Sequence, residues 1–464
     1  MIEFGPSDPN LIINCVDSAG CVVVHSIISS IIVFFTLVNG FALTTLLERR
    51  FIAWLQDRIG PNRVGPLGIL QPAADGIKLA FKQDILPINA DKTVYRIAPA
   101  LKVIPTLLVL AVVPLGPPVI IPWFDGNWYR VAQGLIDTQE GVLWILAITS
   151  ISVYGVTMAG WASANKYSMI GALRSSASMI SYELSLGTAF IVPAMMANSL
   201  SIGDIIEAQS GNFIFNWYIF QNPLAAAIMF TALLAEVNRS PFDLPEAEQE
   251  LVAGHMTEYS AFKFAMFFMA EYISMIAISI IFSSMFLGGY HFILVDKAPL
   301  LGPVWLTLKV VALLSFMVWI RATLPRLRYD RLMALGWKVM LPLALVAMAW
   351  TAVIVVISEE SANPQVFYLG ASLVMVIVMG IAALIFGRTS GSKEFSSAVV
   401  HANDVEVIHV GGHGIGYVIL QFVGSLVSVP FLLFKYQMDV VKNLSDALGG
   451  SSASKSETKT EERS

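Results

Sequence analysis

The chain has 464 residues, of which 56% are hydrophobic and only 13% charged, and its mean hydropathy is +0.71. That composition excludes an ordinary soluble domain, which needs far more charge to keep its surface in water. The formal net charge of −5 carries no message about nucleic acid, because most charges of both signs fall in loops and in the tail.

Apolar runs of roughly 18 to 25 residues, long enough to cross a bilayer core of about 30 Å, recur along the chain. In chain order they predict spans at 24–47, 99–122, 142–161, 172–196, 223–237, 261–287, 304–320 and 337–357, the fifth being short. A ninth run occupies 366–386. A tenth, 415–434, holds Gln421 and Pro430 and ends in Lys435, so it either spans or lies along the interface. The predicted fold is an all-α polytopic membrane protein with eight core transmembrane helices and a C-terminal extension carrying one or two further membrane helices. The domains expected are a core over 1–360, an added transmembrane helix over 361–390, a linker with an apolar membrane or interfacial helix over 391–450, and a disordered polar tail over 451–464.

Between the first two spans, "ERRFIAWLQDRIGPNRVGPLGILQPAADGIKLAFKQD" (48–84) has Gly-Pro turns and then an amphipathic helix. Asp75, Lys78 and Lys82 share one face of that helix and Ile77 and Phe81 another, which suits a helix lying on a membrane surface. Nothing before Arg49 is basic, so the N-terminus is expected outside, without the basic region of a cleavable signal peptide. The loops at 49–98, 162–173, 238–260 and 321–338, with their edges, hold about 17 Lys and Arg, against Arg130 and Lys297 opposite. This asymmetry predicts that they are cytoplasmic. Cys15 and Cys21 lie near the outer end of the first span, which leaves a disulfide open. No Cys/His cluster predicts a metal or iron–sulfur site. "VEVIHVGGHGIGYVIL" (404–419) lacks the G-x-G-x-x-G spacing and reads as a glycine hinge before a membrane helix.

Two kinds of acidic position stand out. "AEVNRSPFDLPEAEQELVAG" (235–254) sets Glu236, Asp243, Glu246, Glu248 and Glu250 against one base, Arg239. Asp243 and Glu246 are spaced to cap a short helix, which accounts for two carboxylates at most. The others repel one another unless bases or a partner compensate. Glu183 and Glu271 fall inside predicted spans, Glu183 about nine residues or some 14 Å beyond Arg174 and Glu271 about ten beyond Ala261, and each beside a tyrosine, Tyr182 or Tyr272. Acids at that depth usually face a bundle interior or a wet cavity. With Glu236 they read as a proton or ion path leading inward, neutral acids bridging helices being the alternative. "WIRATLPRLRYDRLMALGWK" (319–338) adds Arg321, Arg326, Arg328 and Arg331, bases that would ring the mouth of a cavity for a lipid-like ligand with a polar head.

The segments "ERRFIAWLQDRIGPNRVGPLGILQPAADGIKLAFKQD", "GWASANKYSMIGALRSSASMISYELSLG", "EVNRSPFDLPEAEQELVAGHMTEYSAFKFAMFFMAEY" and "IRATLPRLRYDRLMALGWKVMLPL" resemble the H-type membrane-subunit family of bacterial NADH:quinone oxidoreductase, the counterpart of mitochondrial complex I subunit 1. The likeness covers about residues 20 to 358. It implies a subunit at the joint of the redox and membrane arms that encloses a quinone chamber and couples quinone reduction to proton translocation. No redox centre is expected on this chain; NADH, FMN and iron–sulfur clusters would be bound by partner subunits, and quinone would be the substrate.

By motif match, the resemblance assigns Glu48, Arg49, Arg58, Asp75, Arg321 and Arg326 to the chamber and its mouth. It assigns Asp243, Glu246, Glu248 and Glu250 to a coupling loop, and Glu183, Glu236, Glu258 and Glu271 to the start of a proton relay, with Tyr182 and Tyr272 beside it. Implied partners are the redox-arm subunits at the quinone site, small membrane subunits leading to antiporter-like subunits, and lipid, in the bacterial plasma (inner) membrane. Asp84 stands where the family commonly has Glu, and the extension beyond about residue 360 departs from it. Two rivals are a homologous membrane component of a proton-pumping hydrogenase or ferredoxin-dependent complex, and a stand-alone cation/proton antiporter. The antiporter would more typically show inverted repeats and a midplane lysine, whereas Lys102 and Lys309 are expected near helix ends.

Overall fold

The computed structural model describes residues 12–15, 18–122, 127–136, 138–211, 214–243, 252–292, 295, 298–358 and 367–379. Glu246, Glu248, Glu250, Lys297 and everything expected over 380–464 lie outside the described residues. The chain divides into two compact units, Met1–Ser372 and Leu373–Ser464. Within the described residues seven helices are long and apolar enough to cross a membrane, and two shorter ones are apolar. The chain is therefore a multi-pass, helical membrane protein.

Helix α1 (Ala19–Leu55) is 37 residues long, about 55 Å at 1.5 Å per residue, nearly twice a bilayer core of about 30 Å. Its last turns, with Glu48 and Arg49, therefore reach past the apolar run. After it come the amphipathic α2 (Gln71–Phe81) and α3 (Lys92–Leu108). Next are α4 (Gly141–Ala162), α5 (Lys166–Ala197), two short helices α6 (Ile202–Ala208) and α7 (Tyr218–Gln221), and α8 (Pro223–Glu236). Helices α9 (Ala261–Phe286), α10 (Leu301–Thr323) and α11 (Tyr329–Ser358) complete the set, and α12 (Phe367–Met379) follows.

The second span differs from its expectation. Pro99 and Pro105 lie inside α3, not at its start, because Asp91 caps the helix by accepting from the backbone N–H groups of Thr93 and Val94 at 3.0 and 3.3 Å. The far end of the expected span is no helix either. It leaves the bundle and forms strand β2 (Val119–Pro122), which pairs antiparallel with β3 (Trp128–Val131), while β1 (Ile12–Asn14) pairs parallel with β3. The sheet order is β1-β3-β2. Beside it Cys15 and Cys21 form a disulfide that packs with Tyr129 and Val131.

Helix α5 is the spine, packing on α4, α8 and α11. A stripe of buried serines, among them Ser175, Ser178 and Ser185, gives it a thin profile that lets neighbours approach. Glycines do the same where helices touch: a Cβ on Gly155 of α4 would lie 2.7 Å from the Lys102 backbone nitrogen of α3. In α11 a π-helical turn over Gly336–Met340 follows Leu332, whose carbonyl accepts from the Tyr182 hydroxyl at 3.0 Å. Such turns commonly mark functional places in helices. At the sheet end, the buried Gln209 side chain donates to the Ile205, Ser284 and Met285 carbonyls and accepts from Tyr218 and Gly288, knotting α6, α7 and α9 together.

The loops at the other end converge. Asp91 N donates to Ala162 O, Ile85 N to Ser260 Oγ, and Leu327 N to Pro241 O. This charged end carries the candidate site.

Candidate functional site

An unpaired carboxylate buried among helices costs several kcal/mol, so the first question is what each buried acid faces. Glu48, buried near the end of α1, accepts from Arg321 of α10 and from Arg239 Nη1 at 3.3 Å. Arg239, in the turn after α8, reaches on to Glu271 of α9, with Nε 2.6 Å from Oε1. The Arg239 guanidinium also lies 4.5 Å over the Tyr272 ring. Burial works against the Arg239 charge, but Glu271 and Glu48 outweigh it and hold its pKa above the ordinary arginine value. Four separate elements thus meet in one string, Arg321–Glu48–Arg239–Glu271. A second pair ties the loop after α10 to the loop after α8: Arg326 Nη2 donates to Asp243 Oδ2 at 2.6 Å.

Two small cavities continue inward from Glu271. One is bounded by Glu271, His255, Asn238, Phe267, Ser274 and Lys102. The other takes Lys102 and Ser274 again and reaches Glu236, Ser152, Thr149 and Phe190. Each is ≈ 30 Å³, space for a water or two and far too small for a ring-bearing ligand. Burial, then the Lys102 charge, lowers the His255 pKa to about 3, so its ring is neutral. Past Glu236, which feels the charge of Glu183, the latter's Oε1 accepts from Ser150 of α4.

The structure does not draw in every expected residue. Arg49 and Asp75 pair at 2.7 Å, but on the surface, with side chains 49% and 35% exposed. Asp75 turns to Arg49 and Gln71 rather than to Lys78. Arg58 is exposed and donates to Gln56 Oε1 at 2.8 Å, apart from the others. Glu258 sits at the loop edge, where Asn165, the cap of α5, donates to its Oε1 at 2.6 Å. Tyr182 serves a backbone carbonyl rather than a carboxylate, while Tyr272 is part of the cluster. Asp243 is an ion-pair partner; its expected helix-capping role falls at residues outside the described set.

Two lysines correct an expectation. Lys102 is buried ten residues into α3, and Lys309 is eight residues into α10, so neither is near a helix end. Lys309 is fully employed: its amine donates to the Leu287, Gly289 and His291 carbonyls at 2.6, 2.7 and 2.9 Å and faces the Trp217 ring at 4.4 Å. Sequence reasoning missed Arg239 and Lys102 as site members. The available signals were the lone base among five acids and the one cation within "IAPALKVIPTLL".

A family profile described as NADH dehydrogenase matches residues 28–352. The first of the H-type subunits of NADH-quinone oxidoreductase in Geobacter sulfurreducens is 47% identical over 331 residues, 70% of this chain and 93% of that protein. The H-type subunit of Thermomicrobium roseum is 47% identical over 341 residues, 71% of this chain and 96% of its own. That of Deinococcus radiodurans is 43% identical over 363 residues, 76% of this chain and 90% of its own.

Proposed function

This chain belongs to the NADH dehydrogenase family, as an H-type membrane subunit of NADH-quinone oxidoreductase, and on that premise we propose that it houses the quinone's approach to the redox arm and starts the proton path inward. The observation that carries the reading is the unbroken string from Arg321 through Glu48 and Arg239 to Glu271, continued by two water-sized cavities to Glu236.

Reduction of a quinone to its quinol takes up two electrons and two protons. The electrons come from redox centres on partner subunits, and this chain's residues answer the protons. At the charged end, Arg321, Arg326 and Asp243 form the polar wall of the chamber, with the surface pair Arg49–Asp75 at its mouth and Glu246, Glu248 and Glu250 responding by changing protonation or position. Glu271, Glu236 and Glu183 then pass charge between helices, out of contact with bulk water. The charged end faces the cytoplasm and the sheet end faces outside. The neighbours are the redox-arm subunits around the quinone head and the small membrane subunits that lead to the pumping modules.

The test uses the assembled complex in closed vesicles. Glu271→Gln and Glu236→Gln should each lower quinone-coupled proton uptake by about tenfold or more, the scale of losing one positioned proton-transfer group. Electron flow from NADH to an acceptor reduced on the redox arm alone should be unchanged. Normal proton uptake in both variants overturns the reading, and equal loss of both activities marks failed assembly.

A further inference from the structure

Lys102 is the group that the string of acids and arginines leaves unexplained. It lies ten residues into α3, about 15 Å along the helix, a depth like that of Glu271 in α9. An ammonium carries three donors, yet among the described residues the amine has one partner, Ser152 Oγ, at a long 3.4 Å. The contrast with Lys309 decides what this means. Lys309 spends all three donors on carbonyls and is a structural clamp. Lys102 instead borders both cavities, with Glu271 on the wall of one and Glu236 on the wall of the other.

The groups facing it come from each packed element. Glu236 of α8 and Glu271 of α9 act on it electrostatically, Ser152 of α4 touches it, and the neutral His255 stands in the turn before α9. One carboxylate oxygen of Glu236 and one of Glu271, both Oε2, are buried without a hydrogen-bond partner among the described residues. Gly155 lets α4 press close against the Lys102 backbone, which fixes where the side chain starts. A lysine so placed is a point charge able to give up its proton, which a guanidinium is not.

We propose that Lys102 is the link of the proton path between Glu271 and Glu236. Its ammonium gives a proton through water to the Glu236 carboxylate, an N–H bond breaking as an O–H bond forms. The free amine then takes a proton from the Glu271 carboxyl, whose O–H bond breaks as the N–H re-forms. One proton has moved from Glu271 to Glu236, and no electron has moved. The inference rests on the relay reading of those two glutamates.

The experiment reads proton uptake per electron, and its pH profile, in vesicles holding the assembled complex with Lys102→Met, Lys102→Arg or Lys102→His. Met and Arg should both lower uptake by about tenfold or more, while His, which can release a proton, should retain a larger part with its optimum moved to lower pH. Normal uptake in Lys102→Met, or in Lys102→Arg, overturns the proposal, the latter because a fixed positive charge would then suffice. Should Lys102→Met fail to assemble, the Arg and His variants decide: Arg matching or exceeding His overturns it, and His exceeding Arg supports it. Failure of the relay reading looks different, since Glu271→Gln and Glu236→Gln would then also pump normally.

Discussion

Replacing Arg239 by Met tests whether the buried string holds the charged end together. The guanidinium is 6% exposed and bridges Glu48 and Glu271. Two unit charges about 4 Å apart at an effective dielectric of about 20 attract by about 4 kcal/mol. Removing one partner of a buried pair costs about 3–5 kcal/mol, mostly the penalty of the stranded charge. The two carboxylates do not suffer equally. Glu48 keeps Arg321, whereas Glu271 loses its one ion pair among the described residues. Arg239→Met should therefore destabilise by about 3–5 kcal/mol, some two to four powers of ten in an equilibrium, and Glu271→Gln in the same chain should restore a large part. Arg49→Met is the internal control: that pair is exposed and contributes about 0–1 kcal/mol. The assay is the temperature at which the complex in detergent releases this subunit on a native gel, for these three variants and Glu271→Gln alone beside the unaltered protein. An Arg239→Met midpoint equal to that of Arg49→Met, or a double variant as weak as the sum of its parts, refutes the reasoning.

Three further outcomes are expected. His255 is neutral in the fold with its pKa lowered to about 3, against about 6.5 in an unfolded chain. The unfolded state thus binds the extra proton between those values, and stability present above about pH 6.5 falls on acidification by up to about 1.4 kcal/mol per pH unit. His255→Gln should flatten the plot of thermal midpoint against pH over about 4.5–7, and an unchanged slope would contradict the assignment. Gly155→Ala forces a Cβ to within 2.7 Å of the Lys102 nitrogen and should lower the same midpoint by an amount typical of overpacking, about 1–3 kcal/mol. Lys309→Met strands three carbonyls and should lower the midpoint by a comparable or larger amount. Unlike the Lys102 variants, it should leave the protons pumped per electron unchanged in the complex that survives.

Much of the bundle was legible because a bilayer imposes one strong rule, a long apolar stretch, and the chain obeys it at α4, α9 and α10 with ends close to expectation, whereas α5 starts earlier, at Lys166. What failed had a local cause. Pro99 looks like a helix start, since proline suits a first turn, but Asp91 caps the helix earlier, so Lys102 becomes a mid-helix residue instead of a terminal one. The family membership, and not lysine position, is therefore what sets the stand-alone antiporter aside. The strand at 119–122 was hidden because apolar β-branched residues serve a membrane span and a strand equally well, and its partner at 128–131, with Arg130 in it, read only as loop. At the site, spacing placed Glu183 and Glu271 inside their helices, but only Glu271 at the expected depth, because α5 begins at Lys166 and carries Glu183 much further along it. Partners were not. Nothing in local sequence says that Arg239 is shared by Glu48, 191 positions away, and Glu271, or that Arg58 points away while Arg321 points in. The disulfide, left open by spacing alone, is made.

The parallel pairing of Ile12–Asn14 with Trp128–Arg130 dictates an order of assembly during synthesis. The first strand leaves the ribosome more than a hundred residues before its partner, and two bilayer crossings, α1 and α3, must be complete before the two lie on the same side. Until then the leading segment has no sheet to join. The patch is thus a late seal that closes only over a correctly threaded first hairpin.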